Sequence, residues 1–307
     1  MWLPNFGYHF ARLEGDWRRK AYRALLPAIV RRPVHPPRVV PFSVYAYSNE
    51  ASVPEQVRSI RSFLRHVGRP TGFHVVSDGS HSEASIRLLQ QIDPVVTVEP
   101  AGEGLPPNLP EKFQRYVTAY PLGRQLGLIM TLPRTHEPVL YADADILFFP
   151  GAADLVERAA QPDAPAYYLP DCHENSADLR VFRSPDESAR PVNSGLLLLF
   201  QKLDWSLGIE RYEALEDEPT FFTNQTLVHL VMHANGARPL DARKHVLQLD
   251  SQTISPDRSA GPDPGREAGR SAFPAGAAVC VDRPRCLLRA SGAFTLPAMK
   301  VLSHERR

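Results

Sequence analysis

The sequence predicts an α/β domain built on a mainly parallel sheet, and three observations carry that expectation. From Val39 onward, runs rich in β-branched and aromatic residues alternate with segments of helical periodicity. Two of those helical segments open on an S-x-x-E pattern directly after a strand run. Aspartates stand at the ends of strand runs: Asp78 after the second, Asp143 and Asp145 after the fourth. Alternation of this kind wraps helices around a parallel sheet, and such sheets bind ligands outside the carboxyl ends of their strands.

Residues 1–38 precede the alternation and are expected to form an N-terminal helical extension, followed by a single domain over 39–307. Arg12–Arg32 reads as a basic helix ended by the prolines of VHPPRVVP. Such a helix either packs on the outside of the domain or contacts a partner or a membrane surface. FSVYAYS (42–48) reads as the first strand. SVPE then opens a helix, with Ser52 as cap, Pro54 in its first turn and Glu55 completing a capping box. Val53, Val57, Ile60, Leu64 and Val67 follow at helical spacing and form its core-facing stripe.

GFHVVSDGS (72–80) is the second strand and its turn, and Ser80 with Glu83 predicts the next capping box, ahead of Ile86, Leu89 and Ile92. PVVTVEP (94–100) is a third short strand. A Pro-rich loop (AGEGLPPNLPEK) follows, then a helix from about Pro121 to Leu132. VLYA (139–142) is the fourth strand and runs into the aspartates. PAYYLPD (165–171) and the short apolar run RPVNSGLLLLF (190–200) come next, the latter suited to a central strand. TNQTLVHLVMHANG (223–236) reads as a buried helix closed by Gly236. Residues 255–278, rich in Pro, Gly, Ser and charge, are expected to be a mobile loop.

Composition narrows the function. A chain of 307 residues is long enough for a sizeable core, and a net charge of +1 offers no basic field for nucleic acid. Three widely spaced cysteines make neither a disulfide framework nor a short-spaced zinc site, which favours a reduced, cytoplasmic setting. No run approaches the ~20 apolar residues of a membrane span, and the first ten residues lack the basic-then-apolar order of a signal peptide. Contact with a membrane would then be peripheral, at its inner face and through the N-terminal helix.

If Asp143–Asp145 is extended, its two carboxylates point the same way and repel unless a cation or a donor-rich ligand joins them. Hard oxygen ligands suit Mg²⁺ or Mn²⁺, which commonly bind one or two protein carboxylates together with substrate phosphates. A metal-bridged diphosphate satisfies this chemistry. The structural alternative is an acidic turn at a strand end that is solvated or caps the next segment.

The motifs FSVYAYS, VVSDGS, VLYADADILFF, VNSGLLLLF and TNQTLVHLV, in that order, resemble the D-x-D glycosyltransferases of the GT-A fold, over most of residues 42–252. The second half is most similar to family 8. The resemblance implies a UDP-sugar or other nucleotide-sugar donor, a Mn²⁺ or Mg²⁺ cofactor and a glycan, lipid or protein acceptor. Asp145 would ligate the metal, and Asp143 the metal, the donor ribose or both. Asp78 would lie near the base, unless it only makes an Asx turn. Tyr45, Tyr47 and Ser48 would belong to the nucleoside pocket, unless the tyrosines are core. Arg124 would meet phosphate or donor sugar, or else stand solvated on its helix.

Asn193 and Ser194 would face the donor sugar, and Asn224 and Gln225 the reacting centre. Two departures stand out. The late segment RCLLRASGAF lacks the histidine that many relatives add to the metal shell, leaving His304 for that role, and Asn224 stands where related enzymes often carry an acid. An inverting enzyme would need a general base, for which Asp171, His173 and Glu174 are available. A retaining enzyme, weakly favoured by the resemblance, would set Gln225 beneath the anomeric carbon.

Two rivals define the alternatives. A degenerate GT-A domain would bind nucleotide or glycan without turnover. A haloacid-dehalogenase-type phosphatase also uses an apolar-D-x-D run, but it wants Thr or Val where this chain has Leu147 and sets the motif on its first strand.

Overall fold

The computed structural model describes residues 6–102, 104–161, 163–171, 177–247 and 279–281. The expected mobile loop at 255–278, His173, Glu174 and His304 lie outside the described residues.

Seven strands form the main sheet. They are β1 (Ser43–Ser48), β2 (Phe73–Ser77), β3 (Val96–Pro100), β4 (Val139–Ala142), β6 (Tyr167–Pro170), β7 (Val192–Leu199) and β8 (Arg238–Pro239), in the order β3-β2-β1-β4-β7-β6-β8. β3, β2, β1 and β4 run parallel, whereas β7 is antiparallel to both β4 and β6. Every residue of β7 is buried, so its apolar run fits the central position foreseen for it. An uninterrupted apolar run carries no sign of strand direction, which is why the reversal is visible only in three dimensions. The chain leaves β1 toward β2 and β3 on one side and returns as β4 on the other. That reversal makes β1/β4 the switch point where open sheets of this kind bind ligands. A small second sheet joins β5 (Ile146–Phe148), β10 (Val279–Val281) and β9 (His245–Val246).

Helices cover both faces. On one, α1 (Phe6–Val30), α2 (Val53–His66) and α3 (Glu83–Gln90) close a cluster containing Phe42, Val44, Val57, Ile60, Phe63, Phe73 and Leu140. The last turns of α1 bury Leu26 and Val30 in the same cluster. On the other face, α4 (Glu111–Ala119), α5 (Pro121–Thr131), α7 (Ser206–Glu213) and α8 (Thr223–Ala234) pack over Tyr45, Tyr141, Leu197 and Leu199. A short α6 (Asp154–Ala159) follows β5. α4 is an addition to the expected elements, because its residues follow a proline-rich loop and bury only Phe113, Tyr116 and Val117.

Neither expected capping box forms. Asn49 accepts from the Ser52 amide and hydroxyl and so caps the 3-10 turn Glu50–Ser52 that leads into α2. Ser82 rather than Ser80 caps α3, accepting from the Ser85 amide. Ser80 is drawn away because its hydroxyl donates to Asp78 and accepts the Glu50 amide. α8 closes as expected: Gly236 adopts a positive φ of 69°, and the Ala237 amide reaches back to the Met232 carbonyl.

Candidate active site

The carboxyl ends of β1, β2 and β4 bring Ser48, Asp78 and Asp143 to one end of the sheet, and the carboxyl end of β6 and the start of antiparallel β7 add Asp171 and Asn193 there. The Asp143 amide donates to the Gly195 carbonyl (2.8 Å), which ties the aspartate turn to β7. Asp143 Oδ1 accepts from the Tyr141 hydroxyl (2.8 Å) and from Gln125 Nε2 (2.7 Å). Two donors on one oxygen hold the orientation of the carboxyl group. The Tyr141 hydroxyl stays protonated: burial, followed by the charge of Asp143, raises its pKa well above the ordinary value.

Gly195 has a steric reason to be glycine. A Cβ there would lie 2.8 Å from Asn193 Oδ1 and 3.0 Å from Asp143 Oδ2, closer than either oxygen tolerates. The missing side chain leaves Oδ2 its place beside the strand. The Gly195 amide donates to Asn193 Oδ1 (2.9 Å), and Asn193 Nδ2 donates to Asp171 Oδ2 (3.3 Å). Gln225 Nε2 donates to the same Asp171 oxygen (2.8 Å). Asp143, Asn193, Asp171 and Gln225 thus stand in one connected group.

Asn224 turns the other way. It is buried, and its Nδ2 donates to the Leu122 carbonyl (3.0 Å) and to Gln125 Oε1 (3.1 Å), locking α8 to α5. Gln125 therefore spans Asn224 and Asp143. Sequence reasoning chose Arg124 and missed its neighbour Gln125, because a glutamine on an amphipathic helix gives no local sign of a distant partner. Tyr141, two residues before Asp143 and on the same side of an extended chain, carried the better clue.

A second group lies around the turn after β2. Arg124 donates from Nη1 to the Asp78 carbonyl (3.0 Å) and from Nε to the Thr118 carbonyl (2.8 Å). Asp78 Oδ1 accepts from the Ser80 amide (2.8 Å), the Asx-turn geometry named among its alternatives. The Tyr47 hydroxyl is buried without a partner among the described residues, and burial, then the charge of Asp78, pushes its pKa up to about 12. The Ser48 hydroxyl is buried in the same way. Tyr45 lies deeper in the sheet, stacked on His74 at 4.5 Å with the Arg134 guanidinium 5.1 Å from its ring centre. Ser194 is buried within β7.

Among the described residues no group of three or more His, Cys, Asp or Glu side chains converges. Asp143 and Asp145, both half-buried, still fit a divalent ion. They supply hard oxygens, Gly195 leaves room at Oδ2, and Mg²⁺ or Mn²⁺ ordinarily completes its shell with water and phosphate oxygens.

No protein-family model matches this chain, and no curated protein sequence does. Solved structures do match. The galactosyltransferase LgtC, crystallised with donor and acceptor sugar analogues, is 16% identical, covers 78% of this chain and 86% of its own, and superposes with a TM-score of 0.51. Mouse xyloside xylosyltransferase 1, in its apo form, is also 16% identical, covering 71% of this chain and 90% of its own at a TM-score of 0.45. The first likeness, together with the sheet order, shows the fold: this chain has the GT-A fold of glycosyltransferases. The aspartates follow the fourth strand of that fold, not the first strand that the phosphatase alternative requires.

Proposed function

We propose that this protein transfers a sugar from a nucleotide-diphosphate donor, a UDP-sugar by preference, to an acceptor hydroxyl, with retention at the anomeric carbon. The observation that supports it best is the connected group Asp143–Asn193–Asp171–Gln225 at the switch point of a GT-A sheet. In this reading Tyr47, Ser48 and Asp78 border the nucleoside, and Arg124 stands beside them for the phosphates. Asn193 and Ser194 face the donor sugar. Asp143 and Asp145 hold Mn²⁺ or Mg²⁺, which supplies Lewis-acid stabilisation to the departing diphosphate.

The remaining work falls to the chain's own side chains. Gln125 and Tyr141 keep Asp143 aimed. Asp171 accepts from Gln225 Nε2, which fixes the amide plane so that its carbonyl oxygen is presented away from the carboxylate, toward an oxocarbenium-like centre. In this role Asp171 orients Gln225, and no general base is required of it. Asn224 acts through Gln125, and an acid at its position is not needed for that contact.

The test is Asp145→Asn, which keeps shape and removes a charged oxygen ligand. UDP affinity in Mn²⁺ should fall at least tenfold, about 1.4 kcal/mol, while both proteins bind weakly and nearly equally in chelator. The ligand-free variant should melt no lower than the parent, because two carboxylates without a cation repel. A lower melting temperature with unchanged metal-dependent binding would remove the reading. A panel of nucleotide sugars with Mn²⁺, followed by release of nucleoside diphosphate, separates an enzyme from a domain that only binds.

A further inference from the structure

The N-terminal helix α1 has two opposed faces. Inward, Leu26 and Val30 are buried, and the Arg58 guanidinium lies 5.7 Å from the ring centre of Tyr22. Leu13 and Trp17 each precede one of these inward residues, Tyr22 and Leu26, by nine positions, which is half a turn around a helix at 3.6 residues per turn. They stand one turn apart with 68% and 69% of their surfaces exposed, and Leu25 is 58% exposed. Large apolar side chains left open in a row on a helix mark a contact surface.

The register of α1 sets where that surface lies. Arg19 pairs with Glu55 (2.6 Å) in the first turn of α2, and Arg23 with Glu50 (3.0 Å) just beyond the carboxyl end of β1. At the other end, the Arg32 carbonyl accepts from Arg61 near the close of α2. α1 therefore runs alongside α2, and its first 13 residues or so continue past the start of α2 for roughly 20 Å. Glu50 also receives the Ser82 amide, and its own amide donates to Ser80 in the Asp78 turn. The exposed Leu13 and Trp17 thus stand at the end of the sheet where β1 closes and the Asp78 turn lies.

Charge selects the occupant. Residues 1–38 carry eight Arg and Lys against Glu14 and Asp16, a net of +6 on a chain whose total is +1. Arg19 and Arg23 pair with Glu55 and Glu50 on the α2 side and Arg18 with Glu14 on α1 itself, while Lys20, Arg31 and Arg32 are exposed. An apolar row containing Trp, set among cations, is the chemistry of a helix lying in the interface of an anionic bilayer. We propose that α1 docks on an anionic lipid surface through Leu13 and Trp17, presenting the carboxyl end of β1 and the turn after β2 to the bilayer.

This rests on the packing of α1 and not on the transferase reading, so vesicle binding and sugar transfer can succeed or fail separately. The experiment is co-sedimentation of the full chain with vesicles of phosphatidylcholine alone or with a third of phosphatidylglycerol. Binding should appear with the anionic vesicles, weaken as salt is raised, and fall at least tenfold in the double variant Leu13→Glu/Trp17→Glu. Melting temperature and UDP binding should be unchanged in that variant. Equal binding to both vesicle types, binding to neither, or full binding by the double variant would each overturn the proposal. A concentration-dependent dimer in the absence of lipid, abolished by the same substitutions, would overturn it in favour of a second copy of the chain.

Discussion

Gly195 and Gln125 are single residues whose identities the candidate site depends on. Gly195→Ala brings a methyl to 3.0 Å from Asp143 Oδ2 and 2.8 Å from Asn193 Oδ1, so both oxygens must shift. The expected result is a loss of Mn²⁺-dependent UDP binding of at least tenfold with a smaller change in melting temperature, read by calorimetric titration and thermal unfolding. Gln125→Leu removes donors from Asp143 and Tyr141 and an acceptor from Asn224. Hydrogen bonds to a charged group are worth about 1.5–3 kcal/mol, so this variant should lose stability and metal-dependent binding together. Binding that survives intact in both variants would show that Asp143 needs no orientation.

α8 carries Asn224 and Gln225, and two buried titratable groups hold it in place. Asp178 accepts from Thr223 Oγ1 (2.6 Å), Thr220 Oγ1 (3.1 Å) and Arg180, and the Asp178 amide donates to Thr226. Burial acts to raise the pKa of Asp178, but the hydrogen bonds from Arg180 and Thr223 outweigh it and bring it to about 2. A carboxyl depressed in this way stabilises the fold above its unfolded pKa near 4, and that contribution fades as pH falls through about 2. Asp178→Asn should therefore flatten the acid limb of the unfolding curve between those values, monitored by circular dichroism.

His229 acts in the neighbouring pH range. Its Nδ1 accepts the Val192 amide (3.2 Å), so the proton resides on Nε2 and is donated to the Glu187 carbonyl (2.5 Å). Burial lowers its pKa below the ordinary 6.5. The unfolded chain then binds the proton first, and stability falls as pH drops below about 6.5. Unfolding free energy should be smaller at about pH 5.5 than at about pH 7.5, and His229→Asn should narrow that difference while lowering stability at the higher pH. The slope should shrink without vanishing, because His66, His74, His81 and His233 are shifted in the same direction. An unchanged slope would remove His229 from the account.

Residues 1–38 test how the molecule is assembled as a whole. We propose that the catalytic unit begins near Val39, where the strand–helix alternation starts. A chain beginning at Arg38 should still unfold cooperatively and bind UDP. It should melt at a lower temperature, since Leu26, Val30 and the Arg19–Glu55 pair leave the face of α2. Loss of a cooperative transition would make α1 integral to the core and move the boundary to the start of the chain. No helix among the described residues is long and apolar enough to cross a membrane.

Local order was legible in the residues because it depends on near neighbours. Period-two and period-3.6 patterns placed β1, β2, β4, α2 and α8, and Gly236 marked a helix end that needs a positive φ. The pair Asp143/Asp145 announced itself for the same reason: carboxylates after a buried strand require an explanation within a few residues. Contacts between distant segments were not legible. Gln125 meets Asn224 across 99 positions, and Phe113 of α4 meets Tyr212 of α7 across as many. Competition also escaped the sequence, since Ser52 and Ser80 carry capping patterns but are taken by Asn49, Asp78 and Glu50 once the chain is folded. The direction of β7 belongs with these, because an all-apolar strand satisfies burial equally in either sense and only its neighbours choose between them.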